Sequence, residues 1–520
     1  MPLTFLGSFS IYSTRFIDPA WGFAMGWNYA LGWLIILPLE LTASGITIQY
    51  WNSGINVAVF ITIFLILIVF INLWGVRGYG EAEVVFSMIK LIAVLGFIIL
   101  SIVIDCGGAP VGGYLGAKTW SNPGAFANGF KGVCSVFVTA GFAFSGTELV
   151  GLAAAECEDP RKTMPSATKQ VFWRVTIFYI VSLFLVGLIV PYNNPQLLNS
   201  TSSVDIKASP FVIAIQNAGI NVLPSIFNGV ILISVLSVGN SSTYGSTRTL
   251  CALAEIGQAP KFLAHIDKKG RPTYALLIAL LFAGLAYINV ANVGPQVFNW
   301  LVAISGLSAF FTWYSTPNSL TNSARGSICY AHIRFRKAWV EQGNQVDDLP
   351  FKAAAGIYGS WLGLLLNILS LVAQFYIALF PIGSNPSAST FFKAYLAAPV
   401  ILAFFVVWKI VKRTRFVRAK EADLFSGRRL MNLHELHIED LEKQAQMGAF
   451  RRYDSFCLYI LILVFIIGFV KFNCEIWRYQ RNGKSKWCIE VLEIVIPNHI
   501  YFPSLPSIPL FRHELSARSQ

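Results

Sequence analysis

The sequence predicts an all-α polytopic membrane protein, and composition is the first reason. Of the 520 residues, 55% are hydrophobic and only 12% are charged, and the mean hydropathy is +0.59. A soluble domain usually carries about 25% charged residues, so this chain has too few for a surface in water. The 41 Phe and 14 Trp residues suit positions that face lipid or lie at a membrane interface.

Apolar runs along the chain are the second reason. A helix needs roughly 17–25 mostly apolar residues to cross about 30 Å of hydrocarbon. Ten runs meet that need, near residues 22–46, 57–74, 84–104, 132–155, 172–191, 220–240, 274–292, 295–313, 359–380 and 394–410. An extra apolar segment, 456–472, has borderline length and basic residues on both sides, so its orientation stays open.

Charges in the loops orient these spans. Alternate loops contain few basic residues, such as Lys118 and Lys207, whereas the loops between them are rich in Lys and Arg, such as Arg161 and Lys268. Basic loops stay on the cytosolic side, so the N-terminal end and the tail after residue 412 are predicted to be cytosolic. The net charge of +13 reflects these loops and the C-terminal tail. It therefore does not indicate a nucleic-acid partner, and the apolar spans indicate the lipid bilayer as the partner.

Three ionisable residues remain well inside predicted spans: Glu40, Lys90 and Glu148. A charge at bilayer depth costs at least about 2.5 kcal/mol, so such residues usually face the bundle interior and mark an ion or substrate path. Each could instead be a structural hydrogen-bond partner. We favour the functional interpretation for Lys90 and leave both interpretations open for Glu40 and Glu148.

The segment "FAFSGTELVG" (142–151) predicts a break in the helix that carries Glu148. Ser145, Gly146 and Thr147 are small, and glycine weakens a helix. Irregular backbone at membrane depth is tolerated only where it is buried in protein or lines a cavity, and transporters build midplane sites from broken helices. Exposed carbonyls there suit an ammonium group. A glycine kink that serves only packing is the alternative.

The positions of His and Cys argue against an integral membrane enzyme. All six His residues lie outside the ten predicted spans, and the eight Cys residues show no Cys-x-x-Cys pair or other metal-ligand spacing. An enzyme of this class would need nucleophiles or metal ligands gathered at one depth. We therefore expect no enzyme, no metal site and no bound cofactor.

Several long strings resemble the fungal amino-acid permeases, in particular the general amino-acid permeases, of the amino acid–polyamine–organocation superfamily. "GSFSIYSTRFIDPAWGFAMGWNYALGW" with "PLELTASGITIQYW" is similar to the family's third helix, and "VVFSMIKLIAVLGFIIL" to its fifth. "GFKGVCSVFVTAGFAFSGTELVGLAAAE" resembles the sixth helix, and "SVLSVGNSSTYGSTRTLCALAEIGQAPKFL" the eighth and the loop after it. The resemblance covers roughly residues 7–445.

The resemblance implies a fold and a function. The family has twelve helices, of which the first ten form two inverted repeats of five, and it imports amino acids with protons by alternating access. The carbonyls of Phe142, Ala143 and Ser145 would then receive the substrate's amino group beside a break at Gly146 and Thr147. The only coupling ion implied is the proton.

The resemblance also implies roles for the charged residues inside the spans. Lys90 matches a fifth-helix lysine that stands where sodium-coupled relatives hold a cation, and its deprotonation would loosen packing between helices. Glu40 matches a third-helix acid with a role in gating or proton relay. We place Glu148 with Lys90 and Glu40 as a third proton-coupling residue. The family's location implies the plasma membrane.

The chain also departs from the family pattern. The text that resembles the third helix begins almost directly after Met1, so we expect the first two family helices to be missing, with about ten family helices present and this form inactive in uptake. We divide the chain into a transmembrane domain (1–420) with an insertion at 314–325, a cytosolic amphipathic tail (421–455), the apolar segment 456–472 and a disordered tail (473–520). An amino-acid sensor that does not transport is the alternative function.

Overall fold

The computed structural model describes most of the predicted transmembrane domain. Its described residues are 8–51, 54–144, 146–150, 160–198, 209–268, 270–291, 301–302, 305, 327–346, 349, 356–383, 385–388, 391, 395 and 397–425. All of them belong to the first of two compact units, Met1–Leu441. Several predicted segments lie wholly or mostly outside the described residues: the span 295–313, the insertion 314–325, the tail 421–455, the apolar segment 456–472 and the end 473–520.

The described residues form helices and connecting loops and contain no β-strand. In the first part of the chain the helices are α1 (Ser8–Phe16), α2 (Pro19–Ile48), α3 (Val57–Leu73), α4 (Gly75–Asp105), α5 (Gly129–Ser135), α6 (Phe137–Phe144), α7 (Pro160–Val175) and α8 (Ser182–Ile189). They are followed by α9 (Pro195–Leu198), α10 (Pro210–Asn217), α11 (Leu223–Glu255), α12 (Thr273–Ala283), α13 (Ser327–Glu341), α14 (Gly356–Leu379) and α15 (Ala397–Lys412).

Most helices cover predicted spans, with some differences in extent and geometry. The predicted span 220–240 lies mostly within α11, which continues beyond it to Glu255 through a polar sequence that is buried rather than looped out. Residues 172–191 contain a wider π-helical turn, Thr176–Val181, between α7 and α8. Residues 274–292 begin as α12 and continue as the 3₁₀-helix Gly284–Ala291.

Five described helices are long and apolar enough to cross a membrane: Pro19–Trp51, Arg77–Asp105, Gln170–Ile189, Leu223–Glu255 and Gly356–Leu379. Two shorter apolar helices are Val57–Leu73 and Thr273–Ile288. Many large apolar side chains on α3, α4 and α14 are exposed, as expected for helices that face lipid. The all-helical, apolar architecture agrees with the predicted class of protein.

The N-terminus of α2 is fixed by a buried carboxylate. Asp18 caps the helix by accepting from the Ala20 N–H (2.8 Å), and Pro19 occupies the first helical turn, where its missing N–H does no harm. Asp18 also pairs with Lys409 and accepts from the Thr414 hydroxyl (2.8 Å). Helix α15 and the segment after it are therefore tied to the start of α2.

Helices α2 and α11 form the centre of the bundle. In the most apolar stretch of α2, 78% of residues are buried, against 17% in the corresponding stretch of α4. The two helices approach closely through glycines: a methyl group at Gly26 would overlap Leu253, and one at Gly245 would lie 3.0 Å from the Trp33 ring. Small residues thus allow two long helices to pack along much of their length.

A tight turn joins α3 to α4. Asn56 caps α3 by accepting from the Ala58 N–H (2.9 Å), and α3 ends at Leu73, with Trp74 as its C-cap. Gly75 then adopts φ +83°, a conformation that side chains disfavour, so the chain reverses without a longer loop. This turn brings the start of α4 beside α11.

Candidate substrate and proton site

The helix that begins at Phe137 is interrupted in the segment 142–148. Helix α6 ends at Phe144, and Gly146 adopts φ +95°, which lies outside the range of a right-handed helix. Residues 146–148 form a turn before helical geometry resumes at Leu149. The backbone is therefore broken where the small residues predict it, although Ser145 itself lies outside the described residues.

Glu148 caps this break. Both carboxylate oxygens accept from the Gly146 N–H, at 3.2 and 3.1 Å. In an unbroken helix that N–H would donate to the Phe142 carbonyl, so the carboxylate takes over a donor that the break releases. This contact is the structural role that the sequence leaves open for Glu148.

The break faces the middle of α2. A methyl group at Gly146 would lie 3.5 Å from Cη2 of Trp33, and Trp33 itself is only 4% exposed. The Tyr29 ring meets the Trp33 ring edge to face (centroids 5.7 Å apart), and Tyr29 is likewise only 4% exposed. Two buried aromatic side chains therefore form one wall beside the interrupted backbone.

The other predicted substrate residues lie at the end of α6 and in the turn that follows it. The Ala143 carbonyl accepts from the Tyr179 hydroxyl (3.0 Å), and the Phe144 ring stacks on the same tyrosine. Phe142 is the third-last residue of α6, and Thr147 is half-buried in the turn. Because a carbonyl oxygen has two lone pairs, the contact with Tyr179 leaves Ala143 able to accept a second donor.

Lys90 takes part in a three-residue contact between α4 and α11. Its ammonium lies 2.7 Å from Oγ of Ser237 and 3.3 Å from Oε1 of Glu83, and the Ser237 hydroxyl donates to the same Glu83 oxygen at 2.6 Å. Glu83 is two turns before Lys90 on α4, whereas Ser237 is on α11 and 1% exposed. One charge pair and one hydroxyl thus join the two helices.

Glu40 contacts a neighbouring stretch of α11. It is 8% exposed, and its Cβ would lie 3.5 Å from a methyl group at Gly239. Residues two positions apart on a helix point in nearly opposite directions, so Gly239 and Ser237 present different faces of α11. Lys90 and Glu40 therefore meet α11 at similar height but from different sides.

Helix α11 is the element that connects the candidate residues. Along its length Ser237 contacts Lys90, Gly239 packs against Glu40, and Gly245 packs against Trp33 and against Leu149 beyond the break. Sequence reasoning did not identify Glu83, Ser237 or Trp33. A weak signal was present, because the stretch 237–247 is unusually rich in Ser, Thr and Gly for a buried helix.

A cleft opens at one end of the α4–α11 contact. Its lining includes Asn72, Tyr79, Tyr244, Arg248 and Arg271. The Tyr79 and Tyr244 rings stack in parallel with centroids 4.3 Å apart, and the Arg248 guanidinium lies 5.0 Å from the Tyr244 centroid. Among the described residues, no group of three or more His, Cys, Asp or Glu side chains could hold a metal ion.

Comparison with known proteins gives consistent results over most of the chain. The family model described as "Amino acid permease" matches residues 3–421. General amino-acid permease GAP2 of Candida albicans is 51% identical over 458 residues, which cover 87% of this chain and 76% of that protein. Amino-acid permease inda1 of Hypocrea atroviridis is 52% identical, over 86% of this chain and 77% of its own length.

Two further matches differ in weight. General amino-acid permease GAP1 of Saccharomyces cerevisiae is 49% identical over 450 residues, or 85% of this chain and 73% of that protein. Among solved structures, a manganese transporter of Eremococcus coleocola matches 79% of this chain and 85% of its own at 15% identity, with a TM-score of 0.43. A structural similarity at that level carries no weight for the fold.

Proposed function

Since the chain belongs to the amino acid permease family, we propose that it carries amino acids across a membrane together with protons. Proteins of this family are multi-pass membrane transporters and not enzymes. The observation that carries the proposal is the interrupted backbone at Gly146, which lies against buried aromatic residues in the middle of the central helix α2. Transporters use such interruptions to bind polar substrates at the membrane midplane.

The break offers groups that suit an α-amino group. The carbonyls of Phe142 and Ala143 lie at the end of helix α6, where the last carbonyls have no helical partners and carry partial negative charge. We propose that these carbonyls and that of Ser145 receive the amino group. Gly146 and Thr147 leave room for close approach, since neither is bulky. The substrate ammonium would replace the missing donors, and the aromatic wall of Tyr29 and Trp33 would cover it.

The Lys90 contact suits proton coupling. When Lys90 is protonated, it holds Glu83 and Ser237 and so ties α4 to α11. Loss of its proton would remove the charge that draws these groups together, and the helices could then separate as the site opens to the cytosol. Glu40 of α2 packs on the face of α11 opposite to Ser237. A change in its protonation would therefore also affect how α11 packs against α4. Glu148 in this proposal acts on the substrate site through the Gly146 N–H.

A direct test uses a chimera with the Saccharomyces cerevisiae relative, in which the aligned 450 residues are replaced by those of this chain. The chimera is expressed in cells that lack amino-acid permeases, and uptake of a panel of labelled amino acids is measured at acidic and neutral external pH. We expect uptake that rises at acidic pH and is abolished by a protonophore. Uptake that is indifferent to the protonophore would contradict proton coupling.

The same assay separates the remaining alternatives. The chain as given, expressed alone, tests the expectation that this form is inactive: uptake would contradict that expectation. A chimera that binds amino acids, shown by protection from thermal unfolding, but never accumulates them would favour the sensor. Location in the plasma membrane with cytosolic ends of the transmembrane domain is part of the proposal, and a tag at each end that is protected from external protease tests it.

A further inference from the structure

We propose that the coupling proton leaves Lys90 toward the cytosol along a chain of side chains formed by Ser237, Glu83, Ser241 and Tyr79. This inference rests on the proposed proton-coupled transport and names the residues that carry the proton within it. Four of these five residues were not identified from the sequence, and they come from two helices that are distant along the chain.

The contacts form a continuous path between α4 and α11. Lys90 donates to Ser237 Oγ (2.7 Å), and Ser237 donates to Glu83 Oε1 (2.6 Å). The other carboxylate oxygen of Glu83 accepts from Ser241 at 3.5 Å, the longest contact of the path, and Ser241 lies 3.3 Å from the Tyr79 hydroxyl. Each step is within the distance over which a proton can pass between oxygen or nitrogen atoms, directly or with one water.

The path ends at the cleft beside the stacked rings of Tyr79 and Tyr244. Arg248 lies over Tyr244, and Arg271, which is paired with Asp267, lines the same cleft. The loop charges predict that this end faces the cytosol, since Arg271 lies in a basic loop and Arg248 lies near the end of α11 that leads into that loop.

Few other charged groups can act on this path. Helix α3 and helix α8, which pack against α4, contain no Asp, Glu, Lys, Arg or His. On α4 itself, Arg77 pairs with Glu81 on an exposed face. Within the described part of the chain, the titratable and charged groups along the path are thus Lys90, Glu83, Tyr79, Tyr244, Arg248 and the Arg271–Asp267 pair, with Glu40 on the far side of α11.

The transfer balances without any further reactant. Lys90 gives one proton to Ser237 Oγ while Ser237 gives its own proton to Glu83 Oε1, which leaves a neutral amine and a neutral carboxylic acid. The carboxylic acid then rotates or passes its proton through Ser241 and Tyr79 to water in the cleft, which restores the carboxylate. The net result is one proton moved from Nζ of Lys90 to the cytosolic side.

The experiment compares two transport modes in proteoliposomes that contain the full chain, or the chimera described above where the chain alone shows no uptake. Net uptake driven by a proton gradient requires the proton to leave, whereas exchange of labelled for unlabelled amino acid does not. We expect Glu83→Gln to lower gradient-driven uptake about tenfold or more and to retain exchange, since proton transfer by a positioned group contributes at least that much. Ser237→Ala should also retain exchange and should lower gradient-driven uptake by less than about tenfold, because the Lys90 ammonium also lies 3.3 Å from Glu83 Oε1. Tyr79→Phe should lower gradient-driven uptake by less than about tenfold, because water can replace the hydroxyl.

Ser234→Ala is the matched control. Ser234 is one turn before Ser237 on the same helix, and its hydroxyl bonds only to the Val230 carbonyl (2.8 Å) among the contacts described. We expect it to leave both modes unchanged. Thermal unfolding of each variant monitors folding, so that a loss of protein is not read as a loss of coupling.

The outcomes separate this inference from the function on which it rests. Unsubstituted protein without gradient-driven uptake would contradict the proposed function and with it the path. Gradient-driven uptake that survives Glu83→Gln and Ser237→Ala would overturn the path and leave the function standing. Loss of both modes in Glu83→Gln, together with full gradient-driven uptake in Ser237→Ala and Tyr79→Phe, would make Glu83 a purely structural partner of Lys90 and would also overturn the path.

Discussion

The break at Gly146 depends on backbone groups, whereas the Lys90 contact depends on side chains. At the break, backbone groups within a few residues of one another are released, and one local side chain, Glu148, caps them. At the Lys90 contact, the backbone is regular helix, and side chains from α4 and α11, about 150 positions apart, meet across a helix interface. The first site should therefore depend on backbone conformation and the second on side-chain chemistry.

The largest effect is expected from Lys90→Ala. The substitution removes the proton carrier and leaves Glu83 and Ser237 without the cation that joins them. We expect gradient-driven amino-acid uptake to fall by about 100-fold, in the range assigned to a positioned proton-transfer group, while the break still binds substrate. Labelled uptake in the chimera, with substrate protection from thermal unfolding as the binding measurement, checks both parts.

Lys118→Ala serves as the control for this variant, because Lys118 is exposed and its ammonium contacts only the nearby Tyr114 carbonyl (2.8 Å) among the contacts described. Normal pH-dependent uptake in Lys90→Ala would remove this lysine from the mechanism. Loss of substrate binding as well would mean that the Lys90 contact and the break at Gly146 do not act independently.

A smaller effect is expected from Glu148→Ala, which leaves the Gly146 N–H without its carboxylate. An unsatisfied buried donor costs about 1–3 kcal/mol, so the melting temperature should fall, whereas Glu148→Gln keeps an acceptor and should lose less. Both variants should keep proton coupling. Thermal unfolding and the pH dependence of uptake are measured with Glu81→Gln, an exposed glutamate of an i,i+4 pair, as control.

This prediction decides between two roles for Glu148. A Gln variant that folds normally but whose uptake no longer responds to pH would show that the carboxylate carries the proton, and the cap would then be secondary.

The smallest effect is expected from Tyr179→Phe, which removes the hydroxyl that donates to the Ala143 carbonyl. The stability should fall by about 0.5–1.5 kcal/mol, the net value of a neutral hydrogen bond. Substrate affinity should not fall, because the carbonyl gains a free lone pair for the ammonium. Competition binding measures the affinity, and Tyr192→Phe, whose hydroxyl donates to the Pro123 carbonyl, is the control. A marked drop in affinity would mean that Tyr179 orients the carbonyl for the substrate.

The two regions also differ in how far the sequence predicts them. The break depends on residues that are adjacent in the chain, so Ser145, Gly146 and Thr147 within an apolar run are sufficient to locate it. The same holds for the helices that bear long apolar runs, such as α3 and α14. In these cases the physical cause is a local conformational preference or the length of an apolar run. Both depend only on consecutive residues.

The partners of Lys90 could not be predicted in this way. Glu83 stands at the polar start of α4, where it resembles an ordinary loop-end charge, and Ser237 is one of many serines in α11. Only the packing of α4 against α11 selects them, and that packing depends on the whole bundle. The continuation of α11 to Glu255 could not be predicted for a related reason, because polar residues buried against other helices have the composition of a loop.

The central claim is that the backbone carbonyls beside the break at Gly146 receive the substrate's ammonium group, and a double comparison tests it most directly. Gly146→Ala forces a side chain into φ +95°, a strain of order 1–3 kcal/mol, while Gly229→Ala, at an open position on α11, is the control. Affinities are measured by competition for the best amino-acid substrate and for its analogue without the amino group. We expect Gly146→Ala to weaken the amino acid about tenfold or more and to leave the analogue nearly unchanged, because hydrogen bonds to a charged group contribute about 1.5–3 kcal/mol. An equal loss for both ligands, or none for either, would contradict the claim.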